Sequence, residues 1–159
     1  MDYLWSPWRL PYLTGHKPEG CIFCQMAEAH RDEETFIVHR AEHNFIVLNR
    51  FPYTNGHLMI VPYRHAADLA GISEEAAAEL ISLTRAAERH LRWIYHPDGL
   101  NLGMNIGESA GAGIAGHIHM HVLPRWTGDA NFMTTVGQTR VLPEELSVSW
   151  RKLKEAFDS

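Results

Sequence analysis

Three histidines stand two residues apart in GHIHMHVLPRW, at His117, His119 and His121. Extended backbone turns successive side chains to opposite faces. This spacing therefore lines three imidazoles along one face and sends Ile118, Met120 and Val122 to the other. On a helix the same positions scatter by about 100° per residue, and β-branched Ile118 and Val122 favour a strand. Imidazoles need solvent or hydrogen-bond partners, so a strand held by packing alone gains nothing from such a row. The row marks chemistry, with or without a metal beside it.

The only cysteines, Cys21 and Cys24, lie in GCIFCQ. Their spacing serves a thioredoxin-like redox pair, half of a metal site, or two inert thiols. A redox pair belongs where a strand feeds a helix; here the preceding HKPEG reads as loop, and bulky Ile22 and Phe23 separate the thiols. A general base needs one histidine, and a three-histidine metal site would leave the cysteines unexplained. The more economical arrangement takes Cys21, Cys24, His65 and His117 as four ligands of a structural zinc ion, closed to substrate. His119 is then free for covalent work. Its imidazole nitrogen attacks an α-phosphorus, displaces a polyphosphate or amine and leaves a nucleotidyl-histidine that water or another acceptor resolves. The glycine-rich ESAGAGIAG ahead of the row can offer backbone N–H groups to phosphate without a Walker pattern.

The elements that must position these groups follow from periodicity. QMAEAHRDEE at 25–34 reads as a short helix, 35–40 and 45–50 as a hairpin, and 51–56, with Pro52 and Asn55-Gly56, as a turn. A third strand runs over 57–63 to Pro62 and leaves His65 at an element end. Ser73 caps a long amphipathic helix on which Ala76, Leu80, Leu83, Ala87, Leu91 and Ile94 recur every three or four residues. A fourth strand is expected at 101–107, then the histidine strand. The tail is expected to turn and end in a helix, with Glu144, Glu145, Lys152 and Lys154 on its solvated side. Trp126 and Phe132 are candidate pocket residues. Together these elements predict an α+β fold: a five-stranded antiparallel sheet with a long packed helix.

The 159 residues fit a single domain, with residues 1–19 as an aromatic N-terminal extension and 127–159 as a C-terminal one. The aromatic segment is expected to pack on the core or on a subunit partner. A formal charge of -5 gives no general basic field for a nucleic-acid polymer or a membrane. No run has the length of a membrane span and no secretory pattern opens the chain, so a cytoplasmic protein is expected.

Asn49, His57, Pro62, His65, Asn105, the stretch GIAGHIHMHVLPRW and the CIFC knuckle resemble the histidine-triad superfamily of nucleotide hydrolases and transferases, over roughly residues 20–130. LWSPWR and RWTGDANF resemble its zinc-bearing bacterial branch, which is similar to diadenosine tetraphosphate phosphorylases and hydrolases. The resemblance implies a catalytic set of His119 as nucleophile, His121 assisting and His57 supporting the strand. It places Asn49 at the ribose, and Asn105 and the Gly113 region at phosphate. It also implies a homodimer with a continuous sheet, the C-terminal residues lying near the neighbouring pocket. Two positions depart from the pattern. Ala115 stands where many hydrolases carry Ser or Thr and offers phosphate no hydroxyl, and His121 stands where phosphorylase and uridylyltransferase relatives often carry Gln. The implied function is a hydrolase or nucleotidyl transferase cleaving dinucleoside polyphosphates or related nucleoside phosphates. The alternatives are a diadenosine tetraphosphate phosphorylase using inorganic phosphate, and a zinc-stabilised nucleotide-binding sensor that forms no covalent adduct.

Overall fold

The computed structural model describes residues 20–137 and 141–159. The expectation for the aromatic segment 1–19 falls outside them. The described helices are α1 (Ile22–Ala29), α2 (Asp32–Thr35), α3 (Glu74–Tyr95), α4 (Phe132–Thr135) and α5 (Leu146–Asp158). The strands are β1 (Ile37–Arg40), β2 (Asn44–Leu48), β3 (Leu58–Pro62), β4 (Gly99–Gly103) and β5 (Met120–Arg125). They make one antiparallel sheet in the order β1-β2-β3-β5-β4, so the fold is α+β, as expected. No helix among the described residues is long and apolar enough to cross a membrane.

Alternation decides which layer each side chain enters. Val38, Ile46, Leu48, Leu58, Ile60 and Val122 face the back of the sheet, where Leu80, Leu83, Ala87 and Leu91 of α3 and Leu153 of α5 close the main core. Ser73 caps α3 by accepting the Ala76 N–H at 3.2 Å, with Glu74 and Glu75 favourably placed in the first turn. Trp150 ties α5 to the first strand through its indole N–H, which donates to the Ile37 carbonyl at 2.9 Å. On the front, Phe45, Val47, Met59 and Val61 pack with Phe23 of α1. His121 pairs across from Met59 and shares that front face. The long helix therefore covers the back while the histidine row looks out of the front. Burial on both faces also explains why β2 and β3 are apolar almost throughout.

The structure corrects several expectations. The helix expected at 25–34 is two pieces, broken at His30, whose backbone is left-handed (φ 47°). Arg40 holds the break: its guanidinium donates to the Ala27 carbonyl at 2.9 Å and pairs with Asp32 at 2.8 Å. The fourth strand ends at Gly103 rather than Gly107. Its partner is lost there, because the Ile118 N–H turns away to the Ala66 carbonyl at 2.7 Å. For the same reason His117 and His119 precede β5 and only His121 lies in it. Glu144 is not merely solvated: it accepts from Tyr95 Oη at 2.9 Å and Ser149 Oγ at 2.7 Å and pairs with Lys152.

Gly56 closes the turn that aims His57. Its φ is +73°, and a Cβ there would stand 2.9 Å from Tyr95 Cε2 and 3.0 Å from Leu91 Cδ2. The left-handed backbone and the overpacking add, so Gly56→Ala should lower stability by about 2–4 kcal/mol, read from urea denaturation.

Candidate active site and metal centre

The row survives although its first two members precede the strand. His119 and His121 have ring centroids 4.7 Å apart, and Phe23 packs edge-on to His117 at 5.4 Å and against His119 at 5.0 Å. Ile118 points the other way into a small cluster with Ala66, Ile72 and Ala76, which preserves the alternation.

Hydrogen bonds fix a tautomer for each ring. The Phe51 N–H can only donate, so at 2.9 Å it orients Asn49 Oδ1 and turns Asn49 Nδ2 toward His57 Nδ1, 3.2 Å away. The Tyr53 N–H donates to the same nitrogen at 3.2 Å. His57 Nδ1 is thus unprotonated, and its Nε2–H donates to His121 Nδ1 at 2.8 Å. Neutral His121 then carries its proton on Nε2. His119 donates from Nδ1 to the His117 carbonyl at 2.9 Å, which leaves a lone pair on Nε2. Burial pushes the pKa of His119 down, opposed by that same bond to the His117 backbone. Burial, then the neighbouring His119, lowers His121 to about 4. His121 is accordingly neutral at pH 7 and needs no deprotonation.

At the other end of the row, His117 donates from Nε2 to the Pro62 carbonyl at 2.8 Å and turns Nδ1 toward the thiols. Nδ1 lies 3.2 Å from Cys21 Sγ and 3.7 Å from Cys24 Sγ, and His65 Nδ1 lies 3.5 Å from Cys24 Sγ. All four candidate ligand atoms fall within 4.8 Å of one another. Metal–sulfur and metal–nitrogen bonds of about 2.3 and 2.05 Å at tetrahedral angles separate sulfur from nitrogen by about 3.6 Å, close to these three separations, so the donor set fits a tetrahedral ion. Cys21 caps α1 and Cys24 sits in its first turn, so the helix presents both thiols to one side.

A family model described as the HIT domain matches residues 30–128. The chain belongs to the histidine-triad (HIT) family. It is 39% identical to an AP-4-A phosphorylase of Mycobacterium tuberculosis, over 96% of this chain and 83% of that protein. Among solved structures, a Zn-bound histidine triad family protein from Mycobacterium smegmatis is 28% identical and superposes with a TM-score of 0.71 over 87% of this chain and 94% of its own. A hypothetical histidine triad nucleotide-binding protein from Sulfolobus tokodaii has the same TM-score at 26% identity, covering 87% and 92%. This HIT chain is accordingly an enzyme of nucleotide phosphoanhydride chemistry, with a cluster of two cysteines and two histidines whose donor atoms are placed to hold a metal ion.

Three further residues expected at the site, Asn105, Gly113 and Ala115, fall between β4 and the row. Asn105 follows β4, and its amide reaches the Gly111 carbonyl at 3.5 Å. Gly113 and Ala115 belong to the turns leading into His117. Trp126 lines a cavity near His121 together with Tyr53, whereas Phe132 does not line it and is 69% exposed. The sequence reading missed Tyr53, whose N–H sets the His57 tautomer and whose ring lies 4.9 Å from His57. A tyrosine in a turn carries no signal of that contact. It also missed Phe23 as the wall behind the triad, although a bulky apolar residue between two candidate ligand cysteines was a visible clue.

Proposed function

We propose that this chain is a dinucleoside polyphosphate phosphorylase that works through a nucleotidyl group on His119 Nε2. The observation that carries the reading is the near full-length similarity to an AP-4-A phosphorylase. It favours inorganic phosphate over water as the acceptor, reversing the order drawn from the sequence. Ala115 is in keeping with this, since it supplies no hydroxyl of the kind many hydrolases offer.

His119 Nε2 attacks the α-phosphorus; a P–N bond forms as the P–O bond to the nucleoside triphosphate breaks, and the leaving oxygen takes the electron pair. The ring becomes cationic, and its Nδ1–H bond to the His117 carbonyl strengthens as the charge develops. His121 offers an Nε2–H to the phosphoryl or leaving oxygen, held in that tautomer by His57. A phosphate oxygen then attacks phosphorus, breaks the P–N bond, returns the lone pair to Nε2 and releases a nucleoside diphosphate. Asn105 and the 111–116 turns, where β4 and the row diverge, are the proposed phosphate contacts. Asn49 retains a second N–H and a second lone pair for the ribose.

Zinc is the proposed ion for Cys21, Cys24, His65 and His117. With four protein ligands it supplies structural bracing, and the residues of the row perform the chemistry. The reading includes a homodimer joined through β4, the edge strand among the described residues, where Leu102 is exposed; sedimentation distinguishes it from a monomer.

The decisive experiment incubates the protein with diadenosine tetraphosphate, with and without labelled inorganic phosphate, and resolves the nucleotides. Phosphate-dependent ADP and ATP, with the label in ADP, is expected. AMP and ATP formed equally without phosphate would make the chain a hydrolase.

A further inference from the structure

Along β5 the front-facing positions after His121 are Leu123 and Arg125. Both line a cavity of about 520 Å³ that lies outside the triad and the metal cluster. Tyr53 joins the two sites: its ring centroid is 4.9 Å from that of His57 and 6.4 Å from that of His121, and it forms part of the cavity wall. The row therefore has the metal ligands at its His117 end, the attacking nitrogen in the middle and an open chamber beyond His121.

The chamber's chemistry is that of a nucleoside site. Tyr53, Tyr95 and Trp126 give aromatic surface, while Thr54, Asn55 and Asn131 give hydroxyl and amide groups. Its one cation among the described lining residues, Arg125, is matched by Asp129 at 2.6 and 2.8 Å and also donates to Asn101 Oδ1 at 2.6 Å. The lining is thus near neutral and suits an uncharged base and ribose better than a phosphate chain. The Thr54 hydroxyl is buried and finds no partner among the described residues, so a ligand atom there would remove a desolvation cost. The wall is also built in advance. Asp129 accepts the Trp126 N–H at 3.2 Å, Asp98 accepts the Thr127 N–H at 2.6 Å, and Asn131 caps α4 while its own backbone N–H donates to Thr134 Oγ1 at 3.0 Å. Such a loop gives up little freedom when an aromatic ring stacks on Trp126.

At the rise of an extended strand, Leu123 lies about 7 Å beyond His121 along β5. The chamber is thus past the ring that offers its N–H to the leaving oxygen in the reading above, on the side toward which a departing nucleotide extends. We infer that the chamber lined by Tyr53, Thr54, Leu123 and Trp126 is the subsite for the nucleoside of the departing nucleotide. The inference rests on the dinucleoside polyphosphate reading above. It explains how the enzyme selects a substrate with a nucleoside at both ends.

The test compares diadenosine tetraphosphate with adenosine 5′-tetraphosphate, which has the same phosphate chain and no distal nucleoside. Binding is measured by calorimetry on the turnover-deficient H119N protein, with and without Trp126→Ala, Trp126→Phe or Thr54→Val. The dinucleoside should bind about tenfold or more tightly than the mononucleotide, by the usual worth of one base stacked on an aromatic side chain. Trp126→Ala should erase most of that preference, Trp126→Phe should retain much of it, and Thr54→Val should reduce it by a smaller factor. Equal binding of the two nucleotides, or a preference unchanged in both Trp126→Ala and Thr54→Val, overturns the inference. Turnover of the wild type reports separately on the reading beneath it: a preference that persists in an enzyme cleaving neither nucleotide refutes the phosphorylase and leaves the subsite standing.

Discussion

Replacing His119 with asparagine should abolish covalent adduct formation and lower turnover by at least about 10⁴-fold, the scale seen when a nucleophile is removed. His119 is 5% exposed and its Nδ1 proton is held by the His117 carbonyl, so Nε2 is the one ring nitrogen with an available lone pair. His121 cannot take over: its Nδ1 already accepts the proton of His57 Nε2, and its own Nε2 bears hydrogen in the neutral ring. His117 cannot either, because Nε2 donates to Pro62 and Nδ1 faces two thiols. Asparagine is polar and smaller, and its amide can still donate to the His117 carbonyl, so the melting temperature and bound metal should change little. Intact mass after mixing with diadenosine tetraphosphate, phosphate omitted, should show a nucleotidyl adduct on the wild type and none on the variant. A normal adduct on H119N would remove His119 from the role of nucleophile.

Much of this architecture was legible because one pattern constrained both layers. Alternation from His117 to Val122 assigned the imidazoles to one face and Ile118 and Val122 to the other, and both assignments hold. The cap at Ser73 and the apolar stripe from Ala76 to Leu91 placed the long helix, whose start needed only local chemistry. Boundaries failed where distant atoms decided them. Nothing near 101–107 signals that Ile118 will give its N–H to Ala66, yet that bond ends β4 early and moves His117 and His119 out of the strand. Similarly, the break at His30 depends on Arg40, which reaches back thirteen positions to the Ala27 carbonyl.

The candidate site divides along the same line. Residue types and spacing singled out the four candidate ligands, and the structure gathers their donor atoms within 4.8 Å. The tautomers were not legible, since they follow from Asn49, Phe51 and Tyr53 converging on His57 across a turn. Glu144 was misassigned for a related reason. Its charge pattern reads as solvated, whereas its carboxylate gathers Tyr95, Ser149 and Lys152, a long-range set that no local window contains. Composition reports which atoms are available; topology decides which of them meet.

Cys24→Ser should cost the protein both metal and stability, with a fall in melting temperature of about 10 °C or more. Binding energy at a structural site is folding energy, because the ligands converge only in the folded chain, and losing one of four thiolate or imidazole donors forfeits several kcal/mol of it. The candidate ligands come from three separate stretches: α1 and its N-cap supply Cys24 and Cys21, the end of β3 leads to His65, and the row supplies His117. An ion at their centre would pin the Cys21 end of α1 to the front of the sheet beside the fully buried Phe23. His43→Asn is the control, a half-exposed position in the β1–β2 turn where a change of no more than about 1–2 °C is expected. Turnover should fall as well, although no ligand touches substrate. His117 holds the Nδ1 proton of His119 through its main-chain carbonyl, and releasing the His117 ring from the cluster loosens the hydrogen bond that keeps the nucleophile's lone pair on Nε2. Elemental analysis, thermal melting and kcat measured on the same preparations check the chain of cause. Metal-free C24S that melts and turns over like the wild type would show that the cluster braces neither the fold nor His119.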